Sequence, residues 1–370
     1  MRYMQLDTPS VIIDREIMMS NLDRMQSYAD SRQVALRPHT KTHKIPRIAR
    51  MQELRGARGI TVAKVGEAEV MAAHGFRDIF IANEIVGDVK FRRIIKLMES
   101  GVHLTFGLDS VEQAALIQNA FRDSGHKAQT IVEIEVGENR SGIIEETEFR
   151  DLLNYVRIQS PDIRITGVFS HDGSSYNSKD LAECRQIHLD AQVRTLRFAQ
   201  IARTMGFEME TVSIGSTPSL LQDFPILEGV TEIRPGTYAL MDASMASVHG
   251  SLDMCAATVL ATVISRPTSE RVILDVGAKG ITMQTRRVGI TAVEGMGIIK
   301  QFPDVHIFDV FDEHAIIYSK KFRDAVRVGD KVEIIPVHVC PMMNLHEEVY
   351  MVSNGEVVEV CPIAGRGRLR

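Results

Sequence analysis

Eight short strand-like stretches, mostly separated by helix-like segments, occupy residues 34 to 234 of this chain. The strand candidates are 34–36, 59–63, 78–82, 102–106, 130–136, 163–169, 211–214 and 231–234. They are short apolar runs bounded by polar or glycine residues, as buried strands are. Helical spacing is found at 45–54, 66–74, 88–100, 111–122, about 147–157 and 180–205, with Gly75 and Gly206 placed to end two of these helices. Eight strands separated mostly by helices, over about 200 residues, predict an α/β fold of the (β/α)8 barrel kind. A doubly wound open sheet is the alternative.

The periodicity changes after residue 240. Strands are expected at 256–265, 271–276, 315–319, 331–336, 348–352 and 356–360, with turn signals at Gly329-Asp330 and Asn354-Gly355. The expected organisation is therefore a barrel over 14–240 and a mostly β C-terminal domain over 241–370. A strand at 8–13 is surplus to an eight-stranded barrel and is assigned to the β-rich domain. Asp14 follows it as an N-cap, and Ile17, Leu22, Met25 and Ala29 share one face of a helix reaching about Ser31.

The formal charge of −5 argues against a nucleic-acid partner, which normally calls for a basic excess. Cys184, Cys255, Cys340 and Cys361 are scattered without CxxC spacing, as expected in a reducing compartment. Charges at Arg2, Asp7, Asp14 and Arg15 interrupt any signal-peptide core, and no apolar run reaches the roughly 18 residues of a membrane span. A cytoplasmic protein without membrane or nucleic-acid partners is expected.

Barrel chemistry sits on loops at the carboxyl ends of strands. Here these are 39–44, 83–84, 109–110, 137–142, 171–176, 215–219 and 235–238, rich in polar residues and glycine. The first belongs to Arg37-Pro38-His39-Thr40-Lys41-Thr42-His43-Lys44. A lysine at a strand's end, crowded by like charge and partly buried, has two reasons for a lowered pKa, which suits Schiff-base chemistry. A solvated basic loop that binds phosphate is the competing reading. Gly215-Ser216-Thr217-Pro218-Ser219 offers backbone N–H groups and hydroxyls to a phosphate, or is an ordinary turn. Arg234-Pro235-Gly236-Thr237-Tyr238 adds a glycine and hydroxyls after the next strand. Phosphate sites in such barrels often follow strands seven and eight, which favours the phosphate reading for both. Arg140, in Glu138-Asn139-Arg140-Ser141-Gly142, suits an anionic ring oxygen or a surface ion pair. His171 and Tyr176, in His-Asp-Gly-Ser-Ser-Tyr, suit a planar cofactor or simple packing. In the β-rich domain, His338-Val339-Cys340 ends a strand. If it is extended, imidazole and thiolate share one face and suit a divalent metal. Chance pairs of this kind are common, and His346 and Glu347 nearby read as surface residues.

With these blocks in hand, the chain resembles the D-threonine aldolase and D-serine dehydratase family, fold-type III pyridoxal-phosphate enzymes with an alanine-racemase-like barrel. The resemblance spans nearly the whole chain and rests on Leu6-Asp7-Thr8-Pro9, the lysine motif, Gly59-Ile60-Thr61-Val62-Ala63-Lys64, the two phosphate-type loops and His338-Val339-Cys340-Pro341. It implies that Lys41 carries pyridoxal 5'-phosphate, with Arg140 at its phenolic oxygen and Tyr176 at its ring nitrogen. Gly215, Ser216, Thr217 and Gly236 would hold its phosphate, with Thr237, Tyr238 and His171 around the cofactor. His338 and Cys340 would hold Zn²⁺ or Mn²⁺ beside the substrate, in a homodimer.

The implied reaction is retro-aldol cleavage of a β-hydroxy-D-amino acid such as D-threonine, with dehydration of D-serine-type substrates as the alternative. A racemase would need a second base and no metal, and a non-catalytic cofactor carrier would usually lack the β-rich domain. Three departures from the family pattern stand out: Gly173-Ser174 where relatives often have Gly-His, the variant block Val276-Gly277-Ala278-Lys279, and Cys340, a residue found in the dehydratases and in many unassigned relatives where some aldolases have aspartate.

Overall fold

A computed structural model describes residues 1–370. The chain divides into a barrel unit (Met25–Lys41, Ala49–Gly236 and Gly367–Arg370) and a β-rich unit (Met1–Arg24, Thr42–Ile48 and Thr237–Arg366). The first elements are β1 (Ser10–Asp14), α1 (Arg15–Ser31), β2 (Ala35–Leu36), α2 (Pro46–Glu53), β3 (Ile60–Val62) and α3 (Val65–Ala73). There follow β4 (Asp78–Glu84), α4 (Asp88–Glu99), β5 (His103–Leu108), α5 (Val111–Phe121), β6 (Ala128–Glu133) and α6 (Glu146–Gln159). The barrel ends with β7 (Ile163–Phe169), α7 (Leu181–Thr204), β8 (Thr211–Ile214), α8 (Thr217–Leu220) and β9 (Glu232–Ile233).

The eight barrel strands are parallel and ordered β2-β9-β8-β7-β6-β5-β4-β3. A bridge between His39 and Thr61 joins the ends of that row, with the Thr61 N–H donating to the Pro38 carbonyl at 2.9 Å. The sheet is therefore a closed ring, which excludes the doubly wound alternative. β2 and β9 are only two residues long because Pro38 and Pro235 contribute no N–H to the ladder. Their pairing nonetheless continues, through Arg37 N–H to Ile233 O and His39 N–H to Pro235 O, both 2.9 Å. The strand expected at 130–136 stops at Glu133: Ile134 pairs with Ile143, so the intervening segment folds back as a loop. Helix starts follow their caps. Asp14, Ser110 and Asp180 accept from the N–H groups of Ile17, Gln113 and Glu183.

The β-rich unit contains α9 (Ala243–His249), β10 (Ala257–Ser265), β11 (Arg271–Leu274), α10 (Ala278–Ile281), β12 (Gly297–Ile299), β13 (Phe302–His306) and β14 (Asp309–Val310). It continues with β15 (Ala315–Tyr318), α11 (Lys320–Ala325), β16 (Lys331–Pro336), α12 (Val339–Met343), β17 (Glu348–Ser353) and β18 (Glu356–Pro362). Its sheet runs β13-β12-β16-β10-β1-β17-β18, with β11, β15 and β14 branching from β10. β1 pairs antiparallel with β10 and parallel with β17, so the surplus N-terminal strand does join this sheet. The segment holding β12, β13 and β14 was not legible as strand, since β13 has successive exposed residues rather than an alternating pattern. No helix is long and apolar enough to cross a membrane.

Candidate active site

The barrel places Lys41 in a 3-10 turn, Thr40–Thr42, directly past β2, where it is exposed. The turn is tied down by the Thr40 hydroxyl, which donates to the Thr61 carbonyl at 3.0 Å. His39 lies beneath it. Burial, then the charges of Lys41, Arg234 and His171, hold the His39 pKa well below its usual value, so this imidazole is neutral. Its Nδ1 accepts from the Lys41 backbone N–H at 3.5 Å.

Two cations of the lysine motif are engaged elsewhere, which corrects the expectation that the whole motif crowds Lys41. Arg37 donates from Nε to Glu232 at 2.6 Å and from Nη1 to Asp78 at 2.8 Å. Lys44, in the β-rich unit, has a left-handed φ of 57° and donates to Asn344 Oδ1 at 2.8 Å. The charge actually felt beside Lys41 includes Arg234, a residue whose part the motif reading missed. Arg234 is fully buried over the Phe80 and Phe169 rings, 5.7 and 5.2 Å from their centroids, and burial brings its pKa down to about 10. It donates to the Ser170 carbonyl at 2.7 Å and to the Ser213 hydroxyl.

The rim of β6 and β7 brings Arg140, His171 and Tyr176 together through a residue not singled out from sequence, Glu138. His171 Nδ1 lies 2.8 Å from Glu138 Oε2, and its ring stacks on Tyr176 with centroids 6.3 Å apart and 26° between planes. Arg140 reaches Glu138 at 3.4 Å and Glu133 at 3.3 Å. Burial raises the Glu138 pKa, but the His171 hydrogen bond and the charges of His171, Arg140 and Lys41 outweigh it and leave the carboxylate below its usual range. The loop carrying Arg140 is stiffened from within: Gly137 and Asn139 N–H both donate to Glu135 at 2.8 Å, and Ser141 donates to Glu133 at 2.8 Å.

After β8, Gly215 has φ +136°, and a Cβ there would stand 3.1 Å from the Arg234 nitrogen. The glycine therefore lets the next turn close over β9. Ser216, Thr217 and Ser219 follow, with Ser175 Oγ 3.0 Å from Ser216 Oγ and the Gly236 N–H 3.3 Å from Thr217 Oγ1. A cup of hydroxyls and backbone without Cβ bulk, near a buried guanidinium, fits a phosphate monoester. The flat His171–Tyr176 pair and Arg140 fit a planar ring with an anionic oxygen.

Thr237, Tyr238, His338 and Cys340 lie in the β-rich unit. Thr237 and Tyr238 form a buried 3-10 turn, with Thr237 Oγ1 3.7 Å from Cys340 Sγ. His338 ends the extended chain, but Cys340 sits in the one-turn helix α12, so the same-face argument for an extended His-x-Cys does not apply. The turn arises because the Val339 N–H is taken by Asp242 Oδ2 at 3.0 Å. His338 Nδ1 is held by Gln284 Oε1 at 2.9 Å, and Cys340 Sγ lies 3.4 Å from Thr42 Oγ1. No group of three or more His, Cys, Asp or Glu side chains is arranged to hold a metal. Two protein donors, an imidazole and a thiol, suit a metal whose remaining positions go to water or substrate.

Residues 13–244 match the family described as alanine racemase, N-terminal domain, and residues 256–352 match the putative serine dehydratase domain. D-threonine aldolase of Arthrobacter sp is 32% identical over 98% of this chain and 93% of its own. The structure of D-threonine aldolase from Filomicrobium marinum superposes with a TM-score of 0.86 at 29% identity, over 100% of this chain and 98% of that one. D-threo-3-hydroxyaspartate dehydratase from Delftia sp. HT23 superposes with a TM-score of 0.90 at 27% identity, over 98% of both chains. Structures of a D-threo-3-hydroxyaspartate dehydratase also include a cysteine-to-alanine variant in a metal-free form and a histidine-to-alanine variant, the cysteine lying two positions after the histidine. The chain belongs to the alanine racemase N-terminal domain family, in the branch that joins this barrel to a serine dehydratase domain. That family is pyridoxal-phosphate-dependent and its relatives here are aldolases and dehydratases, so the protein is an enzyme, a lyase.

Proposed function

We propose that the protein cleaves β-hydroxy-D-amino acids of the D-threonine type into glycine and an aldehyde, using pyridoxal 5'-phosphate on Lys41 and a divalent metal, Zn²⁺ or Mn²⁺, on His338 and Cys340. One observation carries the reading. β2, β9 and β8 are successive strands of the ring, so Lys41, Gly236 and the Gly215–Thr217 cup stand side by side on its carboxyl end. When bound, the cofactor supplies an electron sink for charge at Cα and the metal a Lewis acid for the β-hydroxyl.

The chain's own residues supply the rest. Lys41 would anchor the cofactor through its amine. Gly215, Ser216, Thr217 and the Gly236 N–H would hold the phosphate. His171 and Tyr176 would flank the ring. Arg140, held by Glu138 and Glu133, would meet the ring's oxygen. Neutral His39 accepts the Lys41 backbone N–H and fixes the turn. With His338 Nδ1 held by Gln284, Nε2 is the nitrogen that would meet a metal, a common way of orienting such a ligand. Thr237 and Tyr238 complete the proposed cofactor set, a homodimer is carried over from fold-type III relatives, and the scattered cysteines favour the cytoplasm.

Dehydration to a 2-oxo acid and ammonia is the second reading. Cys340 favours it, because the dehydratase described above has a histidine and a cysteine at the same spacing among its substituted positions. Incubation with D-threonine and with D-serine separates the two. Glycine and acetaldehyde from D-threonine support the aldolase. Ammonia with 2-oxobutanoate or pyruvate, and no glycine, overturns it for the dehydratase, and the L-isomer alone identifies a racemase.

A further inference from the structure

Behind the hydroxyl cup lies a buried hydrogen-bond network to which neither the sequence motifs nor the proposed chemistry assigns a role. Asp172 follows β7 and is 2% exposed; His188 is on α7 and is 1% exposed. Asp172 Oδ2 accepts from His188 Nδ1 at 3.2 Å and from the Ser219 hydroxyl at 2.6 Å. Ser219 Oγ is 3.3 Å from Ser216 Oγ, which is 3.0 Å from Ser175 Oγ. Ser175 is itself fixed to Asp172, its N–H donating to the Asp172 carbonyl at 3.0 Å. One carboxylate thus fastens together the loop after β7, the long helix α7 and the turn α8. The loop and the turn carry the cup's hydroxyls, and α7 backs them.

We propose that Asp172 and His188 are positioning residues for the phosphate of the cofactor, acting through Ser219 and Ser216 without touching it. The inference rests on the phosphate reading of the cup.

The chemistry follows from counting protons. Ser219 has a single hydroxyl proton, and at 2.6 Å Asp172 takes it. Ser219 oxygen can then only accept from Ser216. Ser216 also has one proton, which it gives either to Ser219 or to an anion in the cup, while its oxygen lies 3.0 Å from Ser175 Oγ. A carboxylate this deep is costly without partners. Burial raises the Asp172 pKa, but the His188 hydrogen bond and charge, then Ser219 and the charge of His171, pull it well below the usual carboxylate range. Asp172 therefore stays a carboxylate, fixed to His188 Nδ1 and the Ser219 hydroxyl as one unit. Its rigidity sets the hydroxyl positions before phosphate arrives, which is preorganisation of a binding site from behind.

The test compares two ligands of the unloaded protein, pyridoxal 5'-phosphate and pyridoxal, which differ only in the phosphate. Dissociation constants are read from absorbance titrations, with inorganic phosphate as competitor and thermal melting as a fold control. In Asp172→Asn, His188→Gln and Ser219→Ala the preference for the phosphorylated ligand is expected to fall about tenfold, about 1.4 kcal/mol, with pyridoxal binding little changed. Asp172→Asn combined with His188→Gln should lose less than the sum of the two, because both act through one pair. Equal weakening of both ligands would make the network merely structural and overturn the proposal, as would a preference unchanged from wild type. Ser219→Ala removes only the hydroxyl link and keeps the test decisive if the buried-pair variants do not fold. A wild-type protein with no preference for the phosphorylated ligand would instead overturn the phosphate reading of the cup itself.

Discussion

Replacing Arg37 by methionine removes a cation that two carboxylates share inside the barrel. Its Nε meets Glu232 at 2.6 Å, and its two terminal nitrogens meet Asp78 at 2.8 and 3.2 Å. Glu232 is 4% exposed and keeps only the Ser213 hydroxyl, at 2.6 Å, once Arg37 is gone. Three charge-assisted bonds would suggest a larger sum, but the pair's own desolvation offsets part of it. Breaking a buried pair from one side typically costs about 3–5 kcal/mol, because the remaining charge is stranded. The loss should depend on pH. Burial raises the Asp78 pKa, but its hydrogen bonds to His103 and Arg37 outweigh that and bring it to about 2 in the intact protein, below its ordinary 3.8. That contribution is complete above the ordinary value and is lost as pH falls through about 2. The part that Arg37 contributes through Asp78 fades once that carboxylate takes up its proton, so the difference between the proteins should be about 3–5 kcal/mol near pH 7.5 and smaller near pH 3, measured by urea unfolding with circular dichroism. A difference below about 1 kcal/mol near pH 7.5, or one equal at both pH values, refutes the argument.

Reduction of the loaded enzyme with borohydride should fix the cofactor on the peptide containing Lys41, and Lys41→Ala should lower turnover on the order of 10³-fold or more; label at Lys44 or Lys64 contradicts the site. Chelation should abolish turnover while the cofactor's absorbance survives, and full activity in a metal-free His338→Ala protein rules out the metal assignment. Glu84→Gln should flatten the pH dependence of thermal stability. Burial and the neighbouring Glu133 raise the Glu84 pKa to about 9, so the folded form holds a proton that the unfolded chain releases, and wild-type stability falls as pH rises through that window. Parallel melting curves for wild type and variant at about pH 6 and pH 8 would contradict this. Light scattering should give a dimer, and a fully active monomer would exclude the assembly.

Period and punctuation made the barrel legible. Strands two residues wide, such as β2 and β9, still showed because proline and glycine marked their ends and helices filled the gaps between strands. The loops at the strand ends could be named because every strand of such a ring points the same way. What stayed hidden depends on partners distant in the chain. Arg37 reads as part of a basic motif until Glu232, 195 positions away, claims it. Glu138 reads as a loop carboxylate until it is found bonded to His171, 33 positions on. Asp172 stands inside the His-Asp-Gly-Ser-Ser-Tyr run without a role of its own, and His188 carries no motif, since their pairing joins a loop to the middle of a long helix. Cys340 was placed on a strand because Val332 to Val337 looked extended, and only the Asp242 carboxylate, 97 positions earlier, turns the chain into a helix there.

Charge inside the barrel is stratified, and that layering gives the carboxyl rim its chemistry. Arg37, Glu232, Asp78 and His103 form a layer in which cations and carboxylates satisfy one another. Phe80, Ile131 and Phe169 make an apolar cluster, the two rings meeting edge-on at 5.2 Å, and Arg234 lies against both rings. On the rim, His39 is held neutral while Glu138 is held charged. Two titratable groups with opposed environments are what acid–base work requires. Burial is the first cause of the neutral His39, and the charges of Lys41, Arg234 and His171 add to it. Freeing Arg37 from its carboxylates would only reinforce the neutral form, which accepts the Lys41 backbone N–H and fixes the turn that presents Lys41.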